Sequence, residues 1–68
     1  MEIAKIIGSN IKKARKQNKL TQTAIAKLLG MTQQQYSRFE TGIFELNYKQ
    51  ILEICRILEI SPNDVFEI

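Results

Sequence analysis

Residues 22–41, QTAIAKLLGMTQQQYSRFET, decide the fold of this 68-residue chain. Apolar residues recur at helical spacing on both sides of Gly30. A glycine at that point predicts the end of a helix, because glycine adopts a positive φ without steric cost. Thr32 and Gln35 fit a capping box, which predicts the start of a second helix after a tight turn. The two predicted helices cover Gln22–Leu29 and Gln33–Glu40.

The second of these helices has two different faces. Tyr36 and Phe39 form an apolar face that can pack, and we expect the Tyr36 hydroxyl at the edge of the core. The opposite face is polar and carries Gln33, Gln34, Ser37, Arg38 and Thr41. Glutamine can pair with adenine, and arginine can pair with guanine, in the major groove of DNA. A helix that exposes amide and guanidinium groups near its N-terminus is therefore suited to read base edges.

This stretch resembles the helix-turn-helix of the lambda repressor and Cro-like family of bacterial and phage regulators. The resemblance extends over about residues 7–66 and implies an all-α, compact five-helix DNA-binding domain with its helix-turn-helix at helices 2 and 3. The chain length predicts a single domain over residues 1–68. The residues that carry it are Leu20, Thr21, Gln22, Ala26, Gly30, Thr32, Gln33, Phe39, Glu40 and Gly42, with Arg15 upstream.

The resemblance also implies roles for individual residues. It places base reading at Gln33, Gln34 and Arg38, and a backbone phosphate contact at Gln22. Further candidates for phosphate contacts are Ser37, Thr32 and Lys19. A surface role without DNA contact is the alternative for Gln22.

A structural ion pair is the last role that the resemblance implies. It pairs Arg15 with Glu40, and so ties helix 1 to the end of the recognition helix. Removing one partner of such a pair leaves the other charge stranded. A direct phosphate contact is the alternative role for Arg15.

Three further helices are predicted from periodicity and caps. Helix 1 covers residues 3–18, and helix 4 starts after the N-cap Asn47. Ser61 and Pro62 begin helix 5 as cap and first residue. The predicted core stripes are Ile3, Ile7, Ile11 and Ala14 in helix 1, and Ile51, Ile54, Cys55 and Leu58 in helix 4.

Composition argues against several classes of protein. One cysteine and no histidine leave no internal disulfide and no plausible zinc site, so we expect no metal and no cofactor. The sequence has no Gly-rich phosphate loop and no paired carboxylates in a pocket-forming context, so we expect no enzyme. It has no apolar run near the 20 residues or so that cross a bilayer. We expect a cytoplasmic protein without a membrane or small-molecule ligand, and the resemblance implies a bacterial or phage-encoded one.

Charge is distributed unevenly along the chain. Residues 1–39 hold eight basic side chains and one acidic side chain, a net charge of +7. Residues 40–68 hold two basic and six acidic side chains, a net charge of −4. This asymmetry favours a partner that is a polyanion such as double-stranded DNA. A solvated lysine face on helix 1 is the alternative interpretation.

The second half of the chain carries more apolar surface than a small monomer needs. We expect a homodimer surface that includes Leu52, Ile57, Phe66 and Ile68. Ile43 and Phe44 are candidates for contact with a protein partner, although we expect at least one of them in the core. The sequence thus predicts a sequence-specific transcriptional regulator, with repression as the simpler mode, acting as a homodimer on a near-palindromic site. The alternative is a protein-interaction module such as an antitoxin or accessory regulator.

Overall fold

The computed structural model describes residues 2–67 and confirms the all-α fold class. The five helices are α1 Ile3–Gln17, α2 Gln22–Leu29, α3 Gln33–Glu40, α4 Tyr48–Leu58 and α5 Pro62–Phe66. No strand occurs between residues 2 and 67. In the same range, no helix combines the length and the apolar character that crossing a membrane requires.

Four of the helices begin at a side chain that accepts a backbone N–H. The Thr21 and Thr32 hydroxyls each accept an amide at 3.1 Å, and the Asn47 side chain accepts one at 2.8 Å. Ser61 caps α5 in the same way, at 3.1 Å. Each cap contributes about 1 kcal/mol by satisfying a donor that the helix leaves free. These local signals explain why the helix starts were predictable from sequence.

The helix ends are less uniform than the starts. Gly30 ends α2 in the left-handed conformation with φ of 71°, as predicted. Glu59 ends α4 at φ of 55° without a glycine. A side chain in that conformation costs roughly 1–2 kcal/mol. Glu59 therefore stores strain that the packing of α4 and α5 must offset.

Every helix contributes to one core. The fully buried large side chains are Ile11 of α1, Ile25 of α2, Tyr36 of α3, Ile54 and Leu58 of α4, and Val65 of α5. Cys55 lies in this core, as predicted, and burial raises the pKa of its thiol. The predicted stripes of α1 and α4 are confirmed except at Ile3, which is exposed. Ile3 shares a face with Ile7, but the first turn of α1 lies at the rim of an open groove.

Within α2, Leu29 and not Leu28 packs against the core. The buried side of this helix is set by Ile25 and Ala26. At about 100° per residue, Leu29 lies between those two positions around the helix axis, and Leu28 lies about 110° away from their midpoint. Leu28 is therefore exposed despite its apolar side chain.

Gly8 lies at a close approach between α1 and the end of α3. A Cβ atom on Gly8 would lie 2.5 Å from the carbonyl oxygens of both Phe39 and Glu40. Sequence propensity makes Gly8 a weak point of α1. In the structure the missing side chain lets α1 reach the backbone at the end of α3, which brings Arg15 and Glu40 of the same two helices within contact distance.

Candidate nucleic-acid interface

The polar face of α3 is held by its cap and by its buried face. Thr32 and Gln35 form the predicted capping box, in which the Gln35 Oε1 accepts the Thr32 N–H at 3.2 Å. Tyr36 and Phe39 are buried, and their ring centroids lie 5.9 Å apart. Because one face is anchored in the core, the other face is presented to solvent on a rigid element.

The three residues predicted to read bases are all exposed on that face. They are Gln33, Gln34 and Arg38. Gln33 and Gln34 lie in the first turn of α3, and Arg38 lies one turn further along the helix. Their groups supply donors and acceptors for adenine and donors for guanine.

Gln22, predicted to contact phosphate, lies in a hydrogen-bonded chain that also holds Gln33. The Gln33 Nε2 donates to the Gln22 Oε1 at 2.6 Å. The Gln22 Nε2 in turn donates to the Glu40 Oε1 at 2.9 Å. The structure thus joins a residue predicted to bind phosphate to one predicted to read bases.

Arg15 and Glu40 form a buried ion pair at the far end of this chain. The Arg15 Nε donates to the Glu40 Oε2 at 2.6 Å, and its Nη2 donates to the Oε1 at 3.2 Å. A third donor, Nη1, reaches the Leu20 carbonyl at 2.8 Å. The two side chains are only 9% and 1% exposed. Arg15 is therefore occupied inside the protein, which leaves its alternative role as a phosphate contact without support.

The ion pair changes the protonation behaviour of both partners. Burial alone would raise the pKa of the Glu40 carboxyl, but hydrogen bonds from neighbours that include Arg15 and Gln22 outweigh burial and lower this pKa. The bonds to Glu40 raise the pKa of Arg15 despite its burial. Glu40 is therefore ionised near neutral pH and can only accept hydrogen bonds.

The Tyr36 hydroxyl lies deeper than predicted. We expected this group at the edge of the core, but Tyr36 is fully buried. Within residues 2–67 its hydroxyl oxygen meets no hydrogen-bond partner. Burial and the nearby Glu40 carboxylate raise the pKa of Tyr36.

The other residues predicted to contact phosphate differ in their exposure and in their existing hydrogen bonds. Lys19 is exposed and has φ of 59° in the turn after α1. Ser37 is half-buried. The Thr32 hydroxyl is exposed but already accepts the Gln35 amide, so it can only donate to a phosphate oxygen. Seven of the eight basic residues in the first 39 positions are exposed, and the exception is Arg15.

Besides Ile3 and Leu28, the large exposed apolar side chains lie on the loop after α3 and on α4. Ile43 and Phe44 are 77% and 40% exposed, so the expectation that one of them joins the core is wrong. Leu46, the residue before the N-cap Asn47, is buried in the core instead. Phe44 lines a groove of about 440 Å³ between α1, the loop and α4.

The residues predicted to form a dimer surface differ in exposure. Leu52 is exposed, whereas Ile57 and Phe66 are half-buried and pack against the core. Ile68 lies outside the described residues. Sequence reasoning missed Tyr48, which is exposed beside the same groove at the start of α4. Its position directly after the cap Asn47, outside the core stripe, is the signal that could have identified it.

The same part of the chain offers no metal site. Between residues 2 and 67, no group of three or more His, Cys, Asp or Glu side chains could hold a metal ion.

Comparison with known proteins gives relatives of different kinds, each aligned over most of this chain. The uncharacterized HTH-type transcriptional regulator YqaE of Bacillus subtilis is 43% identical over 82% of this chain and 48% of its own length. Antitoxin PezA of Streptococcus pneumoniae is 35% identical over 88% of this chain and 38% of its own. The type II methyltransferase M.Sau96I of Staphylococcus aureus is 33% identical over 85% of this chain but only 14% of its own.

This chain thus spans about half or less of each of these relatives. The match to the methyltransferase covers a small part of that enzyme. No solved structure matches the chain significantly. Residues 11–65 match the family described as Helix-turn-helix, and this range contains α2, α3 and the turn between them. The chain therefore belongs to the helix-turn-helix family, in its lambda repressor and Cro-like branch.

Proposed function

We propose that the chain is a sequence-specific DNA-binding transcriptional regulator that inserts α3 into the major groove. The observation that carries this proposal is the polar face of α3. Gln33, Gln34 and Arg38 are exposed there on a helix whose other face is buried. These side chains can discriminate bases by roughly 1–3 kcal/mol for each good bidentate contact. Membership of the helix-turn-helix family supports the same use of this helix.

Phosphate contacts orient α3 on the duplex in this proposal. Gln22, Ser37, Thr32 and Lys19 supply neutral and charged donors around α3. Gln22 lies at the N-terminus of α2, where free amides and the helix dipole favour an anion. The exposed basic residues of the first half add attraction that does not depend on sequence.

The regulator acts as a homodimer on a near-palindromic site, with residues 1–68 as one DNA-binding unit. Two copies of α3 then enter successive major grooves about 34 Å apart. Exposed Leu52, with half-buried Ile57 and Phe66, supports an apolar contact between copies. Binding across a promoter would repress transcription by occlusion.

Selection of the purified protein against a randomised duplex pool tests the proposal. We expect a two-fold site and an affinity that falls steeply with salt, since bound phosphates release counterions. Arg38→Ala should relax the preference at one base pair by about 1–3 kcal/mol. Lys49→Ala is the matched control, because it removes the same charge from an exposed residue in the acidic half. Failure to recover a consensus would refute base reading by α3.

The exposed loop after α3 favours a second candidate function. Ile43 and Phe44 lie outside the core, and a relative of this chain is an antitoxin. An accessory role through a protein partner would use this loop. If the cellular function depends mainly on a protein partner, the double variant Ile43→Ser with Phe44→Ser should abolish the cellular phenotype of the protein. Gln34→Ala with Arg38→Ala would abolish it if DNA reading dominates.

A further inference from the structure

We propose that the groove between α1, the loop after α3 and α4 binds an amphipathic helix of a partner protein, with a basic side chain of that helix at Glu45. This inference goes beyond DNA reading, because Gln33, Gln34 and Arg38 do not line the groove. It rests on the second candidate function, a protein partner, and names the site and the chemistry of that partner.

The groove has a buried apolar floor and exposed apolar walls. The buried side chains that line it are Ile7, Phe39, Leu46 and Ile51. The exposed apolar side chains that line it are Ile3 of α1, Phe44 of the loop and Tyr48 of α4. Large apolar side chains around a concave surface are typical of a site where another protein binds. A partner in the groove would remove the exposed walls from water and would contact the core through the floor.

The shape of the groove favours a helix over a small molecule. A small-molecule site buries roughly 70–90% of the surface of its ligand. The walls Ile3 and Tyr48 are themselves 67% and 83% exposed, so the groove cannot enclose a ligand to that extent. A helix needs cover on one face only, along apolar side chains three or four residues apart. The volume of about 440 Å³ has room for such side chains.

The chemistry of the lining favours a helix over an extended segment. Only two of the ten lining residues, Glu45 and Tyr48, carry polar groups in their side chains. An extended segment has backbone N–H and C=O groups that need partners once they are buried. No strand, and hence no sheet edge, occurs between residues 2 and 67 to supply those partners. A helix bonds its backbone groups internally and can therefore bury apolar side chains here without that cost.

Glu45 determines the charge of the partner. It is exposed in the lining of the groove, whereas the basic residues of the same half of the chain, Lys49 and Arg56, do not line it. Both salt bridges found within residues 2–67 use other carboxylates, which leaves that of Glu45 to a partner. A lysine or arginine of the partner can pair with Glu45 and lay its aliphatic part against Tyr48. An acidic side chain would meet a like charge instead.

A displayed library of helical peptides of about 15 residues tests the proposal. One face of each peptide varies among apolar residues, and the positions beside that face vary between lysine and glutamate. Selection on the wild-type chain without DNA should enrich lysine, whereas selection on Glu45→Lys should enrich glutamate. Both variants of the pair should bind their own selected peptide with similar affinity, since only the sign of the charge is exchanged.

Fluorescence anisotropy of the peptide selected on the wild type locates its site. Tyr48→Ser should weaken binding by about tenfold or more, because it removes a large wall of the groove. Ile43→Ser is the matched control. It also removes an exposed apolar side chain, at 77% exposure, but from a residue that does not line the groove, so the affinity should stay within about twofold.

Each contrary outcome overturns the inference in a distinct way. No enrichment on the wild type would remove the helix-binding site, and enrichment of the same charge on Glu45→Lys would remove the role of Glu45. Binding weakened by Ile43→Ser but not by Tyr48→Ser would place the partner on the loop, where the second candidate function still stands. If no peptide binds and Tyr48→Ser converts a dimer into a monomer in sedimentation, a second copy of the chain occupies the groove. The selection uses no DNA, so its result does not depend on base reading by α3.

Discussion

Replacing Arg15 with methionine should destabilise the fold far more than replacing both members of its ion pair. In Arg15→Met the Glu40 carboxylate, 1% exposed, keeps its charge but loses two hydrogen bonds from the guanidinium. Breaking a buried pair in this way costs about 3–5 kcal/mol. A domain of this length has a total stability of roughly 3–10 kcal/mol, at about 0.05–0.15 kcal/mol per residue. Arg15→Met should therefore be largely unfolded or close to unfolding at 37 °C.

The double variant Arg15→Met with Glu40→Met should recover most of this loss. Both charges are then absent, and two flexible apolar side chains fill a site that is already buried. Such replacements are often neutral or stabilising. The double variant still loses the bonds from Arg15 to the Leu20 carbonyl and from Gln22 to Glu40. We expect a net change within about 1–2 kcal/mol of the wild type.

Acidification should change the stability of the wild type and of Arg15→Met in opposite directions. In the wild type the folded pKa of Glu40 is lowered below its ordinary value of 4.5. Its contribution to stability is present above pH 4.5 and is lost as the pH falls through the lowered pKa. In Arg15→Met burial dominates and raises the folded pKa of Glu40, so acidification protonates it and stabilises that variant. The difference between the two proteins should shrink from pH 7 to pH 4.

Urea unfolding followed by circular dichroism at 222 nm measures all three free energies of unfolding. Gln17→Ala, an exposed substitution on α1, serves as the control and should stay within about 0.5 kcal/mol of the wild type. A loss below about 1 kcal/mol for Arg15→Met at pH 7 would refute the reasoning, as would a double variant no more stable than the single one.

Three further substitutions test the contact between α1 and α3, the positive φ at the end of α4 and the buried tyrosine hydroxyl. Gly8→Ala should lower the free energy of unfolding by about 1–3 kcal/mol, because its Cβ would lie 2.5 Å from two carbonyl oxygens of α3. Ser9→Ala, at the exposed next residue, should leave the stability unchanged, and a thermal unfolding scan compares the two variants. Glu59→Gly should stabilise the protein by about 0.5–1 kcal/mol by relieving a φ of 55°, and an unchanged urea midpoint would contradict this. Tyr36→Phe should change the free energy of unfolding by less than about 1 kcal/mol, because the buried hydroxyl makes no hydrogen bond within residues 2–67. A larger loss of stability in the same urea assay would mean that the hydroxyl forms a hydrogen bond in solution.

Much of the fold could be predicted from sequence because its signals are local. A cap such as Thr32 with Gln35, or a turn at Gly30, depends on residues within about four positions along the chain. The polar face of α3 follows from helical periodicity in the same way. The helix bounds, the fold class and the exposure of Gln33 could therefore be worked out without coordinates.

Other features depend on segments that are distant in the chain. Gly8 is explained only by the carbonyl groups of Phe39 and Glu40, more than 30 residues away. Which loop residue is buried is likewise decided by tertiary packing, because Leu46 lies in the core whereas Ile43 and Phe44 are exposed.

The hydrogen bonds from Glu40 through Gln22 to Gln33 belong to the same class, since they join the ends of α3 to the start of α2. Sequence supplied the residue types and the resemblance suggested single roles for them. Their connection was decided by tertiary packing, because the position of a side-chain donor relative to a distant acceptor depends on how the helices cross and not on the spacing within either helix.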